Sequence, residues 1–425
     1  MFVRKFIAWA AGASPTERAP AAAAFARALL DRELPADEEY EAGVALASLA
    51  DDPSPLVRAA IAQEIAARAD APRQVVIALA ADQPDVSAAV LRLSPALADP
   101  DLIDAAVVGD ARAQMAIASR RAVSAAVSAA LIEIGAREAV VVLLDNRGAC
   151  VPAAALARAV ERFEADATVR EALLARADLT AALRARLVDA TAAALQEFVL
   201  SRGWMSAGRF DRAAREAREK AYVLVAREAD GASAAADVTR RLREAGRLTA
   251  ALLLRSLLSG ERRLLASALA ELTGVAPDRA SGLVAAFEGP AFAAIYRRAG
   301  LPDALLPVFR FALAAMEEGP ASDDSAEGSL RRALLERVLA RCDEISLPNA
   351  QPVLGLLRRF HAEASREEAR EYAAWLARAE VMDALESARQ FQADASAGAG
   401  PLNEAAAEHD GARPQGWDPA AQVAA

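Results

Sequence analysis

Asp51-Asp52-Pro53-Ser54-Pro55-Leu56-Val57-Arg58-Ala59-Ala60-Ile61-Ala62 is the stretch whose reading decides the fold. Asp and Pro set a turn, and Pro55 suits the first position of a helix, where the N–H it lacks would have had no intrahelical partner. Leu56, Val57, Ala60, Ile61 and Ile65 then supply one apolar face. The turn recurs at Ala81-Asp82-Gln83-Pro84-Asp85-Val86, at Gly109-Asp110-Ala111-Arg112-Ala113 and, more loosely, at Asp145-Asn146-Arg147-Gly148. Asp52, Asp82, Asp110 and Asp145 thus follow one another at 30, 28 and 35 residues. Between these turns lie second helix starts at Asp70-Ala71-Pro72, Asp99-Pro100-Asp101 and Val123-Ser124-Ala125, where Asp or Ser accepts a hydrogen bond from an orphan N–H. Each unit is a short antiparallel helix pair, too small to bury its own apolar face, so a row of them stacks into a solenoid.

Composition agrees with an all-α chain. Of 425 residues 55% are hydrophobic but only 5% aromatic, and alanine, the strongest helix former, is the commonest residue. The length exceeds one ordinary core. The expected organisation is a repeat array over 1–160, a helical continuation with a basic stretch over 161–316, an acidic linker over 317–329, C-terminal helices over 330–390 and a disordered tail over 391–425. Phe2, Phe6, Trp9 and Ala13 fall at helical spacing and predict a first helix that covers the end of the stack. Membrane-surface attachment and secretion are the other readings of that basic, apolar start. Thr180 and Thr249 open two copies of a Leu-Thr-Ala-Ala-Leu sequence as N-caps, and Gly260 suits the position just after a helix. Leu354, Leu357, Phe360, Tyr372, Trp375 and Leu376 are the expected anchors of the C-terminal helices.

The order Asp52, Pro55, Val57, Arg58 resembles the turn of HEAT repeats, and that resemblance implies that Arg58 packs against the turn Asp of its own or the next repeat. Asp52, Pro55, Val57, Arg58, Asp82, Pro84 and Asp110 are therefore assigned to repeat structure. A wider set resembles the alphaproteobacterial family catalogued as domain of unknown function 2336. It comprises the 51–58 turn, Ala78-Leu79-Ala80-Ala81-Asp82-Gln83-Pro84, Ser124-Ala125-Ala126-Val127-Ser128-Ala129-Ala130-Leu131 and Tyr296-Arg297-Arg298-Ala299-Gly300-Leu301-Pro302. The resemblance spans roughly residues 1–316; it implies HEAT-like helices in a bacterial protein and carries no activity or catalytic residues.

Several chemistries lack material. Two cysteines, Cys150 and Cys342, leave no disulfide framework and no Cys-rich zinc site, and a reducing cytoplasm is the simplest compartment. Cys150 reads as a small buried filler. Only His361 and His409 are present, so a histidine triad or polyhistidine metal site has almost nothing to work with. No phosphate loop, dinucleotide fingerprint or nucleophile elbow occurs; no cofactor, metal or catalytic residue is assigned. The pairs Asp51-Asp52 and Asp99/Asp101 sit at helix entries, where carboxylates complement the dipole. No apolar run is long enough to span a membrane.

A net charge of −10 argues against a dedicated nucleic-acid binder. Only 161–316 is basic, with 23 basic against 19 acidic residues. Within it, Arg209, Arg212, Arg215, Arg218, Arg240, Arg241, Arg243 and Trp204 form the candidate partner-binding set. Its competing reading is a solvated helix face in which Asp211–Arg215, Arg212–Glu216, Arg215–Glu219 and Glu216–Lys220 pair at i,i+4. The expected function is a cytoplasmic, non-enzymatic protein-binding scaffold whose partner is a protein, with an acidic one the candidate for the basic stretch. The alternative is a HEAT-like nucleic-acid binder or a DNA glycosylase-like enzyme using 202–247.

Overall fold

Pro15, Pro55 and Pro84 each occupy the first position of a helix, and each helix belongs to one row of a two-row stack. The computed structural model describes residues 2–34, 38–229, 231–318, 330–344 and 350–398. Among them are 22 α-helices and no named strand. The first twelve are α1 (Phe2–Ala10), α2 (Pro15–Leu30), α3 (Glu39–Leu49), α4 (Pro55–Ile65), α5 (Arg73–Ala80), α6 (Pro84–Leu93), α7 (Asp99–Val108), α8 (Ala111–Ala118), α9 (Ala125–Ile134), α10 (Arg137–Asp145), α11 (Ala153–Phe163) and α12 (Ala167–Ala175). The even helices pack in series from α2 to α12, while α1 on α3, α3 on α5, α7 on α9 and α9 on α11 build the second row. One apolar cluster runs through both, from Val3 to Leu187. From α4 to α12 the even helices start 26 to 30 residues apart.

Arginines and carboxylates close the joints of this array. Arg18, fourth residue of α2, donates two bonds of 2.9 Å to Asp52 and one of 2.6 Å to the carbonyl of Ala13. Arg58, fourth residue of α4, repeats the pattern: Nη1 reaches the Asp52 carbonyl at 2.6 Å, and Nε and Nη2 grip Asp82 of the following turn. Arg170 and Arg184 take the same helix position further along and again donate to carbonyls of the preceding turn, at Glu164 and Leu179. The C-terminal ends form a second series. Arg68 donates to Leu30 O, Arg120 to Leu91 O and Ser94 O, Asn146 to Ala118 O and Arg120 O, and Arg176 to Leu144 O. A cationic donor at a helix C-terminus satisfies orphan carbonyls and complements the dipole.

The repeat-turn residues stand where the sequence puts them. Val57 is fully buried, Pro55 and Pro84 begin their helices, and Asp110 caps α8 by accepting from Ala113 N. The fourth turn is displaced: Asp145-Asn146-Arg147-Gly148 joins α10 to α11, and the turn equivalent to Asp52's is Gly135-Ala136, which carries neither the Asp nor the Pro. The first helix is rotated from expectation. Val3 is buried and Phe6 stacks on Phe25 with centroids 4.6 Å apart, whereas Trp9 is exposed. Cys150 is exposed too, not a buried filler.

Three longer helices follow: α13 (Ala181–Ser201), α14 (Ala207–Glu228) and α15 (Gly231–Glu244). They lead to α16 (Ala250–Leu258), α17 (Arg263–Thr273), α18 (Pro277–Ala285), α19 (Pro290–Arg298), α20 (Leu306–Glu317), α21 (Arg332–Glu344) and α22 (Ala350–Gly398). Thr180 and Thr249 cap α13 and α16 as expected, accepting from Leu183 N and Leu252 N, and Gly260 follows the second of these helices with φ 81°. Every residue of 252–258 is buried; α16 is the central strut of this half. Its Arg255 is ion-paired to Glu219 of α14 at 3.0 Å and lies over the Phe360 ring at 4.9 Å.

Most of the expected linker, 319–329, lies outside the described residues. Where the described chain resumes, Arg331 N donates to Leu258 O at 2.9 Å and α21 packs on α20. The chain divides into two units, Met1–Ala362 and Glu363–Ala425. In the second, the described residues are the remaining turns of α22. Leu357 and Phe360 are buried, but Tyr372, Trp375 and Leu376 are exposed rather than anchors. Residues 399–425, with His409, lie outside the described residues.

Candidate protein-binding arm

Helices α13 and α14 form a hairpin that outruns the core. In α13 the buried residues are Ala185 and Leu187, and in α14 they are Phe210, Tyr222, Val223, Val225 and Ala226. Between 188 and 221 only Phe210 is buried. At 1.5 Å per residue each limb carries roughly 20 Å of helix whose side chains stay half-exposed or exposed. Alanine at 192–194 and 213–214 lets the limbs stand without bulky packing, and pairing with each other replaces burial in the core.

The tip concentrates the aromatic surface. Gly203 adopts φ 65°, a left-handed conformation that glycine enters without steric cost. Trp204 N turns back to Val199 O at 3.2 Å. Phe198 and Trp204 meet edge to face at 5.3 Å, with the Arg202 guanidinium 4.6 Å from the first ring and 5.7 Å from the second. Trp204 is 65% exposed, Phe198 45% and Leu195 52%. An aromatic pair topped by a guanidinium and open to water has the chemistry of an interface anchor.

The basic set divides three ways. Arg209, Arg212 and Arg215 stand exposed along α14, without an ion pair among the described residues. The i,i+4 ladder fails at all three of its arginine rungs, and Glu219 turns instead to Arg255. Arg240 pairs with Asp237 on its own helix at 3.0 Å, and Arg243 with Glu271 of α17 at 3.1 Å. Arg218 and Arg241 face a cleft between α13, α14 and α15. The arm therefore gathers Trp204, Arg209, Arg212 and Arg215, and separates them from the other four.

Sequence reasoning missed Phe198 and Leu195, which lie one and two helical turns before the tip. It also missed Tyr222, whose hydroxyl donates to Asp189 at the root of the arm. Burial first, and that carboxylate second, raise the Tyr222 phenol above its ordinary range. The carboxylates weighed for acid/base work are tied into joints: Asp52 to Arg18, and Asp101 to Arg73 at 2.8 Å and to Ala98 N at 2.8 Å. Burial raises the buried Cys342 thiol to about 11, which keeps it from being a thiolate nucleophile at neutral pH. Among the described residues no group of three or more His, Cys, Asp or Glu side chains converges as a metal site, and no helix is long and apolar enough to cross a membrane.

No curated protein and no solved structure matches the chain. A family model matches residues 86–348, from the third residue of α6 past the end of α21, beginning later and ending later than the 1–316 span suggested by the motifs. With more than half of its length in that match, the chain belongs to the family described as uncharacterised protein conserved in bacteria, DUF2336.

Proposed function

We propose that the protein is a non-enzymatic adaptor of α-solenoid type, working in the cytoplasm, that holds out the α13–α14 arm to a protein partner. One observation carries the reading: the exposed Leu195, Phe198 and Trp204 cluster at the tip of a hairpin that buries a single residue between 188 and 221. A large aromatic left in water costs solvation that a partner's apolar pocket recovers. Arg209, Arg212 and Arg215 beside it favour a partner with carboxylates at its rim and steer its approach. The nucleic-acid alternative draws less support, because Arg240 and Arg243 are held by carboxylates and the aromatics lie at one tip instead of along a basic groove.

The test is affinity capture from nuclease-treated native-host lysate with the full chain and with a Phe198→Ala, Trp204→Ala double variant. A stoichiometric protein bound by the first and lost by the second, with circular dichroism unchanged, supports the arm as the contact. Equal recovery by both, or recovery of nucleic acid alone before nuclease treatment, overturns it.

A further inference from the structure

The cleft at the root of the arm has a volume of about 800 Å³ and is lined by four arginines from three directions: Arg186 of α13, Arg218 of α14, Arg241 of α15 and Arg247 just beyond α15. Two are engaged. Arg186 donates to Glu164 at 2.7 Å, and Arg247 lies 3.6 Å from Asp189, too far for a hydrogen bond, while Tyr222 already donates to the same carboxylate. Arg218 and Arg241 have no carboxylate within 4.0 Å among the described residues, and the Nε of Arg241 is buried without an acceptor. The remaining carboxylate, Glu244, is exposed at the rim. A half-buried guanidinium deprived of an acceptor loses solvation that an anion restores, and two such groups lining one cleft offer several N–H donors to the oxygens of a phosphoryl group.

We propose that this cleft binds a small soluble phosphoryl ligand, with Arg218 of α14 and Arg241 of α15 gripping the phosphate and Arg247 joining them as it leaves Asp189. The volume exceeds a bare phosphate and accommodates the organic part of a phosphorylated metabolite. The site is separate from the aromatic tip, so loss of one leaves the other intact.

The experiment is calorimetric titration of the full chain with pyrophosphate, and with inorganic phosphate and glycerol 3-phosphate as further probes, at pH 7.5 and constant ionic strength. The expected result is saturable binding at one site per chain, competed by all three probes. Arg218→Gln with Arg241→Gln lowers the affinity by about tenfold or more, since charge-assisted bonds from two guanidiniums are lost. Glu244→Gln raises it by about twofold to tenfold by removing a like charge from the rim; a gain of affinity has no explanation in misfolding. Arg92→Gln, an exposed position on α6 outside the cleft, leaves it unchanged. Binding that does not saturate, that survives the Arg218/Arg241 substitution in a chain of unchanged circular dichroism, or that Glu244→Gln fails to tighten overturns the proposal.

Discussion

In the array from α2 to α12, Arg18, Arg58, Arg120, Arg170 and Arg176 direct their donors at backbone carbonyls and turn carboxylates; on α14, Arg209, Arg212 and Arg215 meet no ion-pair partner among the described residues. The residue type is the same and the helices are comparably rich in alanine. What differs is register. An arginine four residues into a helix finds the carbonyls of the turn before it, and one just past a helix end finds the orphan carbonyls of a neighbouring repeat. One in the middle of a limb that has left the stack finds only water. The comparison teaches that arginine here is mortar where repeats meet and surface where they do not.

Removing Arg255 tests where the array's logic ends. It is nearly fully buried and pairs with Glu219 at the root of the arm, so Arg255→Ala should destabilise by about 3–5 kcal/mol in urea unfolding, because it strands a partly buried carboxylate. A smaller loss is expected within the array. Asp82→Ala leaves Arg58 without its bidentate acceptor and should cost about 1.5–3 kcal/mol, with faster hydrogen exchange at α4 and α6. If Asp82→Ala behaved like a surface change, the joint bonds would be incidental and the contrast would collapse.

Acid provides a graded version of the same test. The bond from Arg58 holds the Asp82 carboxyl below its ordinary value; for Asp52, burial pushes upward but is outweighed by Arg18 and the Ser54 N–H. Carboxyls depressed in the folded state stabilise it fully above their unfolded value, about 4, and this contribution is lost as pH falls through the lower folded value. Melting temperature should therefore drop as pH falls below about 4, and Asp82→Asn should flatten that drop. The smallest effect on stability belongs to the arm: Trp204→Ala should change unfolding free energy by no more than about 0.5 kcal/mol, while abolishing partner capture.

Much of the array was legible because its signals are local. Pro55, Pro84, Asp110 and the Thr180 and Thr249 caps act within a few residues of themselves, so the chain order alone exposes them, whereas the grips of Arg18 on Asp52 and of Arg58 on Asp82 cross 34 and 24 residues. The fourth turn was not legible at Gly135-Ala136, where the joint is made without Asp or Pro and Arg137 reaches forward to Asp166 at 2.6 Å instead. Trp9, Tyr372 and Trp375 were read as covered by packing for one physical reason. Periodicity reports that a helix has an apolar face, not whether anything covers it. The cleft between Arg218 and Arg241 joins residues on two helices facing a third, and no spacing along the chain encodes it.

The C-terminal donors also impose an order in time. The carbonyls of Leu30 wait for Arg68, those of Leu91 and Ser94 for Arg120, and that of Leu144 for Arg176. The ends of α2, α6, α8 and α10 thus receive their donors only from chain made some 26 to 38 residues later. A nascent chain stalled before Arg120 leaves α6 open at its end, and one released past it does not. Along the chain these bonds make a staircase, each tread held by one that follows it.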